Sequence, residues 1–501
     1  MTSPLFPMAI KGNIHPLTDD EVYHYLLVKD GKIELCAQEI PFPKLLFLDY
    51  SNYHIFPGFI ENHCHLLETG LTLIFPDLSK ITKLADLLEI LFTVYKNLSP
   101  FGLIFAFNFE PEKIKEKRFP NRRELDRVID KIPVIILRRD GHSCVLNTRG
   151  LLELFPNEIP EGMELDQYRD PTGLLWGKAN EIASQYFKNC LDSAAKKLAF
   201  QEGVTLAIRK GITTLVAMTR EEDIEILLDL LPSFPIQVIP FPQTLNIKKV
   251  KELGLNRIGG CILIDGSFGS HTAALREDYS DQEGEKGILY FTDEELFNFQ
   301  KEADKNNLQM AFHCIGDRAI EQVLRGFGLL SKDNPLRHRI EHCELVPPDL
   351  LTRMAEIKIY PSVQPAFEYF WGGEGKMYQK RLGERIKFTN PYKSFINNGL
   401  LPLGGSDSPI TPLDPILGIK SAVFHPNEKE RLNRKEALSL FTKWGAEGVF
   451  LEKEIGVLKE TYWADFVVLK GDILKEEEGE ILVVYKKGKR IFTSLYDQNP
   501  S

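Results

Sequence analysis

Four apolar segments of this chain end in the same way, and that repetition constrains the fold more than any single motif. Residues 59–65 run apolar into His63 and His65. Residues 310–317 reach His313, residues 337–343 reach His342, and residues 401–409 reach Asp407. Side chains alternate faces along a strand, so His63 and His65 project together and Cys64 projects away. In β/α barrels the chemistry collects at the C-terminal ends of strands and is supplied by several of them. Four imidazoles and one carboxylate suit zinc, iron, manganese or nickel, whereas magnesium and calcium prefer oxygen shells.

The spacing of strand-like runs sets the architecture. Residues 211–217, 236–240, 261–265 and 358–363 read as four more strands. The expected fold is α/β, a TIM-like (β/α)8 barrel over residues 57–454. The first two strands are separated by about 140 residues, far more than one crossover helix requires. That stretch, 66–205, carries its own strands at 103–107 and 134–137. It predicts an inserted α+β subdomain that caps the site. Short strands at 23–28, 44–49, 464–469 and 480–485 predict a small β-sandwich composed of both chain ends, residues 1–56 and 455–501. Asp293-Glu294-Glu295 opens a helix with acidic residues in its first turn, which its dipole favours.

Composition narrows the roles. The chain has 501 residues, enough for a large core and more than one domain. Its net charge of −10 comes without a basic stripe, which argues against nucleic-acid or anionic-membrane partners. Seven scattered cysteines form no disulfide framework. There is neither a charged start with a long apolar core nor an apolar run of roughly 18 residues. The expectation is a cytoplasmic protein whose partner is a small-molecule substrate, with homodimerisation open. Cys64, Cys314 and Cys343 read as packing residues. His15, His24, His54 and His425 read as surface or turn residues, and Glu341 as facing away from His342 and holding arginine.

Pro57-Gly58-Phe59-Ile60-Glu61-Asn62-His63-Cys64-His65 resembles the opening strand of the amidohydrolase superfamily of metal-dependent hydrolases. Further motifs are similar to its amidohydrolase-3, or YtcJ-like, branch. They include Arg139-Asp140-Gly141-His142-Ser143, Asp170-Pro171-Thr172-Gly173 and Asp265-Gly266-Ser267-Phe268-Gly269-Ser270-His271-Thr272-Ala273. Arg339-Ile340-Glu341-His342, Gln364-Pro365 and Gly405-Ser406-Asp407-Ser408-Pro409 continue the series. The resemblance runs in order from about residue 8 to about residue 495.

The resemblance implies roles. His63 and His65 would bind one metal. His313 and His342 would bind a second or orient substrate. Asp407 would bind metal and take the proton of the attacking water. His142, Asp265, His271 and Gln364 would lie in the substrate region. His271 stands where the branch often has arginine. Two-metal members bridge their ions with a carboxylated lysine, and at the expected position this chain has Cys261. Strand parity puts Cys261 and Asp265 on one face. A thiolate bridge, as in some D-amino-acid deacylases, and a packing cysteine beside a single metal are both open. Lys178 is a weaker substitute for the bridge.

The implied activity is metal-dependent hydrolysis of a carbon–nitrogen bond other than a peptide bond, in a small amide or N-acyl compound. Asp407 would be the general acid/base, with His342 assisting. The cofactor would be one or two divalent ions, zinc foremost. A lactone or ester hydrolase with the same site, and a catalytically quiet metal- and ligand-binding protein, are the alternatives.

Overall fold

The computed structural model describes residues 8–39, 47–98, 102–139, 143–331, 333–476 and 478–495. His142 and residues 44–46 of the strand expected at 44–49 lie outside the described residues. The chain divides into two compact units, one of residues 1–66 and 204–501 and one of residues 67–203.

In the larger unit eight strands run parallel, labelled here in chain order. They are β1 (Phe59–Cys64), β2 (Ile212–Arg220), β3 (Gln237–Gln243), β4 (Arg257–Leu263), β5 (Gln309–Cys314), β6 (Arg339–His342), β7 (Tyr360–Val363) and β8 (Leu403–Gly404). They pair as a three-stranded sheet, β3-β2-β1, and a five-stranded sheet, β4-β5-β6-β7-β8. Every residue of β1 and β5 is buried, as expected of parallel strands covered on both faces. Beyond the end of β8, Asp407 N–H donates to the His63 carbonyl at 2.8 Å and His65 N–H to the Ser408 carbonyl at 2.9 Å. At the other junction Gly259 N–H of β4 donates to the Thr244 carbonyl just past β3 at 3.2 Å.

Helices alternate with the strands. The helix Asp293–Lys305 starts at Thr292, whose hydroxyl accepts from Glu295 N–H while Glu295 reaches back to the Thr292 N–H. That reciprocal pair satisfies two otherwise orphaned donors.

The two chain ends meet in one seven-stranded mixed sheet. Its order is Lys489–Thr493, Glu480–Lys486, Phe466–Lys470, Phe47–Pro57, Met8–Ile14, Tyr23–Lys29 and Lys32–Ala37. The junction is Phe47–Pro57, parallel to Met8–Ile14 and antiparallel to Phe466–Lys470. Ile10, Leu26, Ile55, Phe466, Val468 and Val483 share its core.

The 67–203 unit has its own five-stranded sheet, ordered Ile104–Phe109, Val134–Arg138, Ser143–Leu146, Pro171–Trp176 and Met163–Leu165. Asn147 knits it together. Its Oδ1 accepts from Val134 and Gly150 N–H, and its Nδ2 donates to the Ile129 and Ile132 carbonyls.

Candidate metal centre

Six side chains converge at the C-terminal ends of the parallel strands: His63, His65, Cys261, His313, His342 and Asp407. The donor atoms of His63, Cys261 and His342 lie within 4.8 Å of one another, and so do those of His63, His65 and Asp407. Cys261 Sγ sits 3.6 Å from His342 Nε2 and 3.8 Å from His313 Nδ1. Asp407 Oδ1 lies 3.1 Å from both His63 Nε2 and His65 Nε2.

The backbone delivers Cys261 through a bulge. β4 gains two residues against β5 between Ile258 and Ile262. Gly259, Gly260 and Cys261 all have positive φ. A Cβ on Gly260 would stand 2.2 Å from the Phe241 carbonyl oxygen, so the detour needs glycine there. Just past β8 a close approach also needs glycine, since a Cβ on Gly405 would meet the His63 Cβ at 2.7 Å. Cys261, His342 and Asp407 are left-handed non-glycine residues, with φ of 68°, 67° and 55°. Such conformations cost of order 1–3 kcal/mol each and cluster at functional sites.

Neighbouring acceptors fix which nitrogen faces inward. His63 Nδ1 is 2.5 Å from Glu341 Oε2. His342 Nδ1 is 2.8 Å from Gln364 Oε1. His313 Nε2 is 3.0 Å from the Gly266 carbonyl oxygen. Each partner accepts only, so each imidazole donates outward and turns the lone pair of its other nitrogen into the cluster. His63 Nε2 and Asp407 Oδ1 are buried without a hydrogen-bond partner. Two imidazole nitrogens and a carboxylate oxygen that close fit a bound cation. The donor set of imidazoles, thiolate and carboxylate is one zinc-like ions accept. These residues therefore fit a divalent metal.

The charges agree. Burial alone would raise the Cys261 thiol, yet His63, His313 and His342 hold it well below its ordinary value. Burial likewise opposes ionisation of Asp407, and His63 and His65 overcome it. Against the burial that disfavours their charged forms, Asp407 and Cys261 push His65 up to about 10, and Cys261 with Asp265 pushes His313 up to about 9. Burial, reinforced by His313, lowers His342.

Glu341 holds an arginine, Arg339, as its sequence reading has it, and does more. His342's left-handed backbone breaks the strand alternation, and Glu341 reaches His63 as well as Arg339. Arg339 is fully buried and also donates to the Asn62 carbonyl and Ser362 Oγ. Glu61 ties β1 to the β8 end, its Oε1 accepting from His63 N–H at 3.0 Å and Ser406 N–H at 2.7 Å.

Among the residues expected near substrate, Asp265 is buried, with both oxygens committed to the N–H groups of Ala274, Ile315 and Gly316. It anchors the loops after β4 and β5. Gln364 orients His342. His271 pairs with Asp281 at 3.1 Å, and Asp281 is held in turn by Arg381. Lys178, in the helix Gly177–Cys190, is exposed. Cys64, Cys314 and Cys343 are buried. His15 and His425 are also buried, contrary to their reading as surface or turn residues. Glu341 and Gln364 were not legible as supports for the histidines, because a partner's identity depends on which strand lies alongside.

The amidohydrolase family profile matches residues 48–492, and the chain belongs to that family. It is 27% identical over 485 residues to the putative amidohydrolase YtcJ of Bacillus subtilis (strain 168), covering 88% of each chain. It is 24% identical over 517 residues to the N-substituted formamide deformylase of Arthrobacter pascens, covering 95% of each. Its fold is similar to the crystal structure of an uncharacterized metal-dependent hydrolase from Pyrococcus furiosus. The TM-score is 0.81 at 25% identity, over 94% of this chain and 100% of that one.

Proposed function

We propose that this amidohydrolase hydrolyses a carbon–nitrogen bond other than a peptide bond, in a small amide or N-acyl compound. The observation that carries the reading is the convergence of His63 Nε2 and His65 Nε2 on Asp407 Oδ1, each 3.1 Å away, beside the close group of Cys261, His313 and His342. His63, His65 and Asp407 would hold one divalent ion. Cys261, His313 and His342 would hold a second, with the Cys261 thiolate between the two sets. Zinc is the leading ion. When bound, such an ion lowers the pKa of its water from about 15.7 to about 7 and polarises a carbonyl oxygen.

The chain's own residues supply the proton traffic. Asp407 takes the proton of the attacking water and returns it to the leaving nitrogen. Glu341 and Gln364 keep His63 and His342 from turning. The relative from Arthrobacter pascens, named as a formamide deformylase, supports N-substituted formamides and short N-acyl amines as the compounds to try first. We further propose that the eight parallel strands close into one barrel, with the backbone bonds beyond β8 as its seam. In this reading the end sheet curls into a small β-sandwich. The seven free cysteines support a reducing cytoplasm.

The test is Asp407→Asn assayed on that panel, with metal content measured alongside. The reading expects turnover to disappear while metal remains. Undiminished turnover in that variant would overturn it.

A further inference from the structure

A second cluster of metal-ligating side chains lies in the end sheet, away from the strand-end centre. His15 follows the strand Met8–Ile14, His54 lies on Phe47–Pro57, and Asp472 lies just past Phe466–Lys470. One donor atom from each falls within 4.8 Å of the other two. His15 Nε2 and His54 Nδ1 stand 3.0 Å apart, and Asp472 Oδ2 is 3.9 Å from His54 Nδ1. Tetrahedral zinc, with bonds of about 2.0 Å, sets its donor atoms roughly 3.3 Å apart. The two nitrogens already have that separation within a few tenths of an ångström, and the carboxylate needs only a small approach.

The geometry points to a divalent transition-metal site formed by His15, His54 and Asp472, which ties the N-terminal segment of the chain to its C-terminal one.

Three observations support it. Asp472 is nine-tenths or more buried, and its Oδ2 has no hydrogen-bond partner. Its other oxygen is used locally, accepting from Leu474 N–H at 3.1 Å. The cation near Oδ2 is the Lys475 ammonium, 3.2 Å away on a side chain 78% exposed, which swings into solvent at small cost. The His15 ring is fixed, stacked on Phe56 at 4.4 Å with planes 7° apart. In the contact between His15 and His54 one nitrogen must carry a proton, and a bound ion takes that proton's place. Two imidazoles and one carboxylate leave further positions for water, a set borderline ions such as zinc, cobalt or nickel accept.

The test uses full-length protein, stripped with chelator and then dialysed against buffered Co²⁺. The native protein is compared with His54→Ala and, independently, Asp472→Asn. Bound cobalt is counted per chain. The thiolate-to-cobalt absorption band is recorded as the mark of the Cys261 centre. The expected result is the loss of one cobalt per chain in each variant, with the thiolate band unchanged. Equal cobalt in native protein and both variants would overturn the site. A fall in the thiolate band that accounts for the missing cobalt would overturn it too, because that ion belongs to the other centre.

Discussion

The chain presents two groups of histidine and aspartate that differ in what stands behind them. At the strand-end centre each inward-facing imidazole of His63, His313 and His342 is held by an acceptor on its far nitrogen. Glu341 is itself locked by the fully buried Arg339. In the end sheet His15 is held by stacking on Phe56, and His54 is a partly exposed strand residue. The first group is pre-organised by hydrogen bonds before any ion arrives. The second has convergent donors with little behind them. Orientation by outer partners is worth about 10–100-fold in metal affinity, so the difference is measurable.

The largest effect separating the two groups is chemical. Asp407→Asn should lower turnover on N-acyl substrates by about 10²–10⁴-fold, the usual worth of a positioned proton acceptor. His54→Ala should leave turnover within experimental error, and steady-state rates on both variants check this.

Glu341→Gln probes the pre-organisation itself. Metal affinity at the strand-end centre should weaken by about 10–100-fold in calorimetric titration. The variant should also unfold at lower denaturant, because it leaves Arg339 as a buried charge without its anion, worth about 3–5 kcal/mol. Asp472→Asn, which disturbs no such pair, should change neither quantity at the strand-end centre.

Protons sharpen the comparison next. Metal entry must displace protons from His65 and His313, which hold them up to about 10 and about 9 in the ion-free protein. Affinity at this centre should therefore climb as pH rises towards that range and fall as pH drops. His15, pushed down to about 4, imposes no such penalty above that pH. Competition titrations at pH 6 and pH 8 should show a larger change in affinity at the strand-end centre.

The smallest effect is expected from Gln364→Leu. It removes one acceptor from His342 and should weaken metal binding by about 10-fold, the lower end for an outer partner. A loss as large as that of Glu341→Gln would mean that the two supports are equivalent.

How much of this was legible in the sequence follows the same division. His63, His65, His313, His342 and Asp407 could be read because each ends an apolar run, and parallel strands bring such ends together. Cys261 was placed by family resemblance. It sits at the end of a bulge of three consecutive positive-φ residues, which strand parity does not foresee. Gly259-Gly260 was the visible sign of that bulge. Glu341 was read as facing away because alternation was assumed to continue through His342, whose left-handed backbone ends it. His15, His54 and Asp472 come from three separate segments joined only by the sheet. No local pattern announces such a group, and His15 and His54 looked like isolated residues.

The most direct measurement is elemental metal content of full-length protein purified without chelator, in a His54→Ala background that removes the end-sheet site. The protein is compared with and without His63→Ala. Because donor atoms of His63 lie within 4.8 Å of both His65 with Asp407 and Cys261 with His342, metal should fall sharply on its removal, in step with loss of hydrolysis. Equal metal content with and without His63, or no metal in either after reconstitution, would contradict the strand-end metal centre.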